Sequence, residues 1–210
     1  MKTPVLAALA ACVLASAPRA QEGKPAAQRM EIDVERRSAK GWSVVDAKTV
    51  FDQGDRIRFR FRSTFGGYLY VMNYGTSGDH ALLFPRQETG EDNRVVPGKD
   101  YIVPATQGAF RISGPAGHDI VYWLVSPLKL EGSAAGQFAT PPRPVTLLPR
   151  CDDTILRARG VCIDHQAGPA PGKDLRSRDL LFIEKDKRTV VASPAPLEGP
   201  VVYEFRIAHR

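Results

Sequence analysis

The chain carries, at residues 55–75, the stretch Asp55-Arg-Ile-Arg-Phe-Arg-Phe-Arg-Ser-Thr-Phe-Gly-Gly-Tyr-Leu-Tyr-Val-Met-Asn-Tyr-Gly75. Apolar residues alternate with arginines in its first half and with tyrosines in its second half. This period of two is typical of a β-strand with one buried face, whereas a helix requires a period near 3.6 residues. The stretch is therefore predicted to form two strands, each with one apolar face.

The loop between these strands predicts how they pair. A three-residue loop at residues 64–66, with its glycine in the left-handed conformation, would close a β-hairpin in which opposed residue numbers sum to 130. That register opposes Phe61 to Leu69 and Phe59 to Val71 on the buried face. A slip by one residue would bury arginines at a cost of several kcal/mol, so the pattern favours this register.

The same hairpin would collect the arginines and tyrosines on its other face. Guanidinium groups hold phosphate or carboxylate groups and tyrosine rings stack on sugars or bases, so this face is suited to an anionic polymer. The alternative is that the Arg and Tyr side chains only stabilise a half-exposed sheet through cross-strand pairs. The candidate binding residues are Arg56, Arg58, Arg60, Arg62, Tyr68, Tyr70 and Tyr74.

The rest of the chain indicates an all-β protein. About nine short strands follow one another at roughly ten-residue spacing, without a convincing amphipathic helix, which is typical of an antiparallel β-sandwich, immunoglobulin-like or barrel-like. Further hairpins are predicted at residues 95–103, 110–125 and 180–192. Trp42 and Trp123 are predicted to anchor the core.

Composition divides the chain into segments. A run rich in Gly, Ala and Pro separates the strand-rich part from a C-terminal extension that contains two cysteines, and the apolar face of the last strand requires a partner. The predicted segments are a signal peptide (1–20), a disordered stretch (21–29), the β-sandwich domain (30–130), a linker (131–149) and an extension packed on the main domain (150–210).

The N-terminus predicts export. A basic start, a short apolar run and small residues before residue 21 are typical of a secretory signal, so we expect a periplasmic or secreted protein. The alternative is a lipid anchor on Cys12, within a Leu-Ala-Ala-Cys sequence. In an oxidising compartment Cys151 and Cys162 are predicted to form a disulfide. No transmembrane span is expected after removal of the signal.

No catalytic, metal-binding or cofactor-binding motif is recognised in the sequence. His80, His118, His165 and His209 lack metal-ligand spacing and are assigned surface or turn roles, so no metal is expected. We find no nucleophile elbow, phosphate loop or dinucleotide fingerprint, so neither catalytic residues nor a cofactor are expected.

Several short elements resemble one bacterial family of domains of unknown function over about residues 41–127. The elements are Phe51-Asp-Gln-Gly-Asp-Arg-Ile-Arg58, Gly67-Tyr-Leu-Tyr-Val71, Leu83-Phe-Pro85 and Gly114-Pro-Ala-Gly117. The resemblance implies a β-sandwich accessory module without an established activity, in proteins that are exported or fused to caspase-like peptidases or protein kinases.

Three functional hypotheses follow. The preferred one is an exported, non-enzymatic module that binds a protein or an anionic component of the cell envelope, since the chain has a net charge of +6. Nucleic acid is not an expected partner. The alternatives are a hydrolase whose site is assembled only in three dimensions, and a structural or assembly subunit that pairs through its edge strands.

Overall fold

The computed structural model describes residues 28–130, 147–170, 181–185, 187–193 and 200–210. In these residues two seven-stranded sheets face each other across the main core, so the predicted all-β sandwich is confirmed. The signal peptide, residues 21–27 of the predicted disordered stretch and residues 131–146 of the predicted linker lie outside the described residues. Residues 28 and 29, predicted to be disordered, already belong to the first strand.

The first sheet has the order β12–β13–β1–β4–β8, with β2 beside β1 and β9 beside β4. Its strands are β1 (Gln28–Ser38), β2 (Gly41–Val45), β4 (Arg56–Ser63), β8 (Asp100–Val103), β9 (Phe110–Arg111), β12 (Leu181–Lys185) and β13 (Arg188–Ser193).

The second sheet has the order β11–β14–β10–β5–β6, with β3 beside β14 and β7 beside β5. Its strands are β3 (Val50–Phe51), β5 (Gly67–Tyr74), β6 (His80–Phe84), β7 (Arg94–Val95), β10 (Gly117–Ser126), β11 (Gly168–Ala170) and β14 (Val201–His209). The β3–β14 pair is parallel.

The predicted hairpin between β4 and β5 is wrong. β4 pairs with β1, β8 and β9, whereas β5 pairs with β10, β6 and β7 in the other sheet. Residues 64–66 therefore carry the chain from one sheet to the other. Phe59 and Phe61 still face Leu69 and Val71 across the core, because the alternation determines which side chains point inward but not which strand is the partner.

Two other predicted hairpins fail in the same way, and one is confirmed. The strands predicted to pair within residues 95–103 are β7 and β8, and those within residues 110–125 are β9 and β10; each pair is divided between the two sheets. β12 and β13 do form the antiparallel hairpin predicted near residues 180–192.

Aromatic rings from both sheets fill the centre of the sandwich. Trp123 packs edge-on against Phe59 with ring centroids 5.2 Å apart and stacks on Phe61 at 5.7 Å. All three side chains are fully buried, and each such burial stabilises the fold by about 2 to 3 kcal/mol. Trp123 is a core anchor as predicted, but Trp42 is not: it is half-buried on the outer face of the first sheet, where the guanidinium of Arg58 lies 4.4 Å from its ring centroid.

The last described strand lies in the interior of the second sheet. β14 has β10 on one side and β11 and β3 on the other. Its apolar face, which alternates through Tyr203, Phe205 and Ile207, is buried in the main core. The partner that this face requires is therefore the opposite sheet.

The predicted disulfide between Cys151 and Cys162 is confirmed. It encloses a helix that the sequence analysis did not predict, α1 (Asp153–Arg159). Asp152 caps its N-terminus by accepting a hydrogen bond from the backbone N–H of Ile155, and Gly160 ends it in the left-handed conformation at φ 65°.

Candidate functional site

The outer face of the first sheet carries a charge ladder, which we define as three acidic residues of β1 and the three arginines of β4 opposite them. The register opposes Glu31 to Arg62, Asp33 to Arg60 and Glu35 to Arg58. Opposite charges directly across an antiparallel pair stabilise it, so these three arginines must be considered together with the carboxylates opposite them.

The carboxylates of the charge ladder pair with two of its arginines and with Arg188 of the neighbouring strand. Glu35, only 3% exposed, accepts from Arg58 Nε at 2.5 Å and from Arg60 Nη2 at 2.7 Å. Arg188 of β13 donates to both oxygens of Asp33, at 2.8 and 2.9 Å. The hydrogen bond to Asp33 raises the pKa of the Arg188 guanidinium. The face therefore offers little uncompensated positive charge to an anionic polymer.

The three tyrosines of the predicted binding face lie on the opposite side of the molecule. Tyr68, Tyr70 and Tyr74 belong to an apolar cluster on the outer face of the second sheet. Tyr70 accepts a hydrogen bond from the backbone N–H of Leu130 at 2.7 Å, and Tyr74 packs edge-on against His80 at 4.4 Å. The seven predicted residues thus do not form one surface, because their two strands are in different sheets.

Arg56 is the one predicted arginine whose strand partner has the same charge. It lies directly opposite Arg111 in the β4–β9 register, and both side chains are exposed. Neither makes an ion pair with any of the described residues. The segment that contains Arg111 also borders a cavity between the two sheets.

A cavity of about 390 Å³, here called the side pocket, lies between the sheets where β9 faces the turn between β5 and β6. Its inner wall consists of residues of the main core, and its rim is polar. The inner residues are Ile57, Phe59, Ile112, Val121 and Ile207, and the rim includes Asn73, Ser77, Asp79, Ala109, Arg111 and Asp119.

Two carboxylates on the rim are held by hydrogen bonds from their own side of the pocket. Asp79 Oδ2 accepts from the Ser77 hydroxyl at 2.7 Å. Asp119 Oδ1 accepts from the backbone N–H of Thr76 at 2.8 Å and lies 3.3 Å from His209 Nε2. Both carboxylates are fixed in position, and the second oxygen of each makes no hydrogen bond with the described residues.

The histidines are placed differently from the prediction in two cases. His80 and His165 are exposed as expected. His209 is completely buried, and His118, also buried, lies with Nδ1 3.2 Å from the carbonyl of Leu147 and Nε2 3.3 Å from Asp164 Oδ2. The surface or turn role assigned to these two was wrong, because both lie in strands, β10 and β14, that extend to the edge of the core and enclose them.

The described lining of the side pocket contains neither histidine nor cysteine. The described residues also contain no group of three or more His, Cys, Asp or Glu that could hold a metal ion. The pocket therefore combines an apolar wall with two carboxylates on its rim.

The side pocket was not predicted from the sequence, although one signal for it was present. Asp119 directly precedes the apolar run of β10, on the same inward parity as Val121 and Trp123. A carboxylate at a core-facing position requires a special environment, since burial of an unpaired charge is costly. The other rim residues come from distant segments and share no pattern.

One of three comparisons with known proteins found a match. Residues 50–129 match the family model described as Domain of unknown function (DUF4384), which confirms the predicted resemblance over most of residues 41–127. A search of curated proteins found no match. A search of solved structures also found none. Among the described residues, no helix has the length and apolar character needed to cross a membrane.

Proposed function

We propose that this protein is an exported, non-enzymatic binding module that takes a segment of a protein or a short peptide into the side pocket. The observation that carries the proposal is the cavity of about 390 Å³ that opens onto the main core. Ligand pockets typically occupy about 300 to 1,000 Å³ and combine apolar walls with a few polar groups, and the side pocket has both properties.

The charge ladder directs the proposal towards a polypeptide rather than an anionic polymer. A polyanion needs cations that are free to bind phosphate or carboxylate groups. Arg58 and Arg60 already share the buried carboxylate of Glu35. A net charge of +6 therefore does not correspond to a basic surface on this sheet.

Export and the lack of catalysis rest on separate observations. The disulfide between Cys151 and Cys162 is typical of an oxidising compartment and agrees with the predicted signal peptide. Two observations support the proposed lack of catalysis. The carboxylates of the pocket already accept hydrogen bonds from Ser77 and Thr76. The nearby ring of His209 is completely buried and does not line the pocket.

The edge strand β6 supports ligand binding over assembly by strand pairing. The backbone carbonyl of Leu83 accepts from the Thr89 hydroxyl at 2.6 Å, and that of Leu82 accepts from Arg86 at 3.4 Å. These bonds cover part of the edge that a second copy would need for pairing.

Filling the side pocket tests the proposal. Random peptides are selected on the mature protein by phage display, and the dissociation constants of the selected peptides are measured for Ala109→Trp, on the pocket rim, and for Ala158→Trp, on an exposed position of α1. We expect Ala109→Trp to weaken binding at least about tenfold, as one indole displaces the ligand, and Ala158→Trp to have no effect. Equal affinity for both variants would refute the pocket as the binding site.

A further inference from the structure

The segment closed by the disulfide, residues 147–163, is here called the disulfide lobe, and its helix α1 contains no buried residue. We infer that the disulfide lobe is a contact surface for an anionic lipid membrane. Its apolar side chains enter the headgroup region of the bilayer, and its arginines bind the phosphate groups of anionic lipids. This inference goes beyond the proposed function, because no residue of the lobe lines the described side pocket.

The inner side of the disulfide lobe is fixed to the second sheet. Cys162 forms a small buried cluster with Val50 of β3 and Ala208 of β14, and its carbonyl accepts from the backbone N–H of Val50 at 3.0 Å. A helix of seven residues is marginal on its own. The disulfide and the caps at Asp152 and Gly160 therefore support α1 without the burial of an apolar face.

The outer side of the disulfide lobe exposes apolar side chains to solvent. Among the described residues seven large apolar side chains are exposed, and four of these lie in this one segment. They are Leu147, Leu148, Leu156 and Val161, and Leu148 has the largest exposed fraction of the four, 65%. Single exposed apolar residues are normal on a protein surface, whereas their concentration in one place marks a contact with a protein or a membrane.

Three arginines stand between these apolar residues in the sequence, namely Arg150, Arg157 and Arg159. All three are exposed, and none makes an ion pair with any residue in the described part of the chain. The acidic residues of the lobe, Asp152 and Asp153, lie at the N-terminal end of α1, whose positive dipole end they complement. Arg157 and Arg159 lie in the last turn, so the positive charge at that end of the helix has no counter-charge in the lobe.

The composition of the lobe favours a membrane over a protein as the partner. Energetically important residues of protein interfaces are enriched in Trp and Tyr and depleted in Leu and Val, whereas residues 147–163 contain Leu and Val but no aromatic residue. At a bilayer surface, apolar side chains lie at the boundary between headgroups and acyl chains, and arginines extend their charged ends to the headgroups. Each arginine near an anionic surface strengthens binding about fivefold. Reversible binding that depends on both residue types is therefore expected.

Co-sedimentation with lipid vesicles tests the inference. The mature protein is mixed with vesicles of phosphatidylcholine alone, or of equal parts of phosphatidylcholine and phosphatidylglycerol, and its partition coefficient is measured at low and at high salt. At low salt we expect at least about tenfold stronger binding to the mixed vesicles, because only these carry a negative surface charge. High salt should remove most of this preference, because it screens the attraction between the arginines and the lipids.

Paired substitutions separate the apolar from the basic contribution. Leu156→Ser with Val161→Ser is expected to weaken binding to both kinds of vesicle, and to the mixed vesicles at least about tenfold, since the apolar area that enters the bilayer is lost. Arg157→Gln with Arg159→Gln is expected to weaken binding to the mixed vesicles about tenfold or more and to leave binding to phosphatidylcholine unchanged. All four side chains are exposed, so both pairs should keep the wild-type melting temperature.

Matched pairs outside the lobe serve as controls. Leu82→Ser with Val96→Ser and Arg56→Gln with Arg94→Gln change exposed residues and are expected to leave vesicle binding unchanged. Control pairs that weaken binding as much as the lobe pairs, or a failure to bind the mixed vesicles, would overturn the inference. If the lobe pairs instead convert a dimer to a monomer in analytical ultracentrifugation while vesicles are not bound, the lobe joins two copies of the chain and the inference is wrong. Peptides selected for the side pocket should bind the lobe variants with wild-type affinity, so the two proposals are tested independently.

Discussion

Glu35 shows how a charged residue is tolerated within a sheet of this molecule. Its carboxylate is 3% exposed, which would be costly for an unpaired charge. Each of its oxygens, however, receives a charge-assisted bond, one from Arg58 and one from Arg60, and the ring of Trp42 covers the Arg58 guanidinium. The arginines on this face therefore serve the stability of the sheet.

Glu35→Gln is expected to lower the free energy of unfolding by about 1 to 3 kcal/mol, because two arginines lose the charge that they share. The loss falls below that of a fully buried pair, since Arg58 and Arg60 are partly exposed. Urea denaturation measures it. Glu88→Gln is the control, because Glu88 pairs with Arg86 on the exposed surface, where the loss of an ion pair has little effect on stability. Equal effects of the two substitutions would show that the charge ladder does not contribute to stability.

At the level of the strands, the sequence predicts the buried faces better than the sheets. Alternation in residues 55–75 correctly places Phe59, Phe61, Leu69 and Val71 in the core. It does not distinguish a hairpin from a connection between two sheets, because both place the same parity inward. The correct neighbour of β4 was indicated by charge, since acidic residues alternate in β1 as arginines do in β4.

The side pocket could not be predicted from any single stretch. Its lining comes from β4, β5, β6, β9, β10 and β14 together with their turns. These segments approach each other only because the chain changes sheets at residues 64–66 and again between β9 and β10. If the chain formed a hairpin at either place, Arg111 and Asp119 would lie in one sheet. No pocket between two sheets would then be expected.

The cap of α1 predicts a pH dependence for this helix. The hydrogen bond from His165, followed by that from the backbone N–H of Ile155, lowers the pKa of Asp152. A carboxylate with a lowered pKa in the folded state stabilises the fold above its unfolded pKa, about 4, and this contribution is lost as the pH falls through the folded pKa. Protection of the α1 amides from hydrogen exchange should therefore decrease in that acid range.

Substitution of His165 tests whether its hydrogen bond lowers the pKa of Asp152. NMR titration of Asp152 in His165→Ala should give a higher pKa than in the wild-type protein, because the largest cause of the shift is removed. His80→Ala, which changes another exposed histidine, should leave the Asp152 titration unchanged. An unchanged midpoint in His165→Ala would contradict the assigned cause.

On the scale of the whole molecule, the residues that match the family model form only part of the two sheets. Residues 50–129 extend from β3 past the end of β10. They exclude β1, which pairs with β4 in the first sheet, and β14, which pairs with β10 in the second. Tyr203 and Phe205 of β14 are completely buried in the shared core.

A fragment of residues 50–129 is therefore expected not to fold. Without β1 and β14 it exposes the inner faces of β4 and β10 and the backbone groups that these strands pair. Circular dichroism and a two-dimensional NMR spectrum compare it with residues 28–210. A dispersed, cooperative spectrum from the fragment would show that the matched residues are an independent domain.

The pairing of β1 with β13 brings Gln28 next to Ser193, nearly the full length of the described chain apart. Both sheets thus depend on contacts between residues remote in sequence, and loop-closure entropy opposes such contacts until late in folding. All-β sandwiches, in which such non-local pairings dominate, typically fold in milliseconds to seconds rather than microseconds. Because β1 and β14 lie in the interior of the two sheets, neither sheet is complete until these strands have paired.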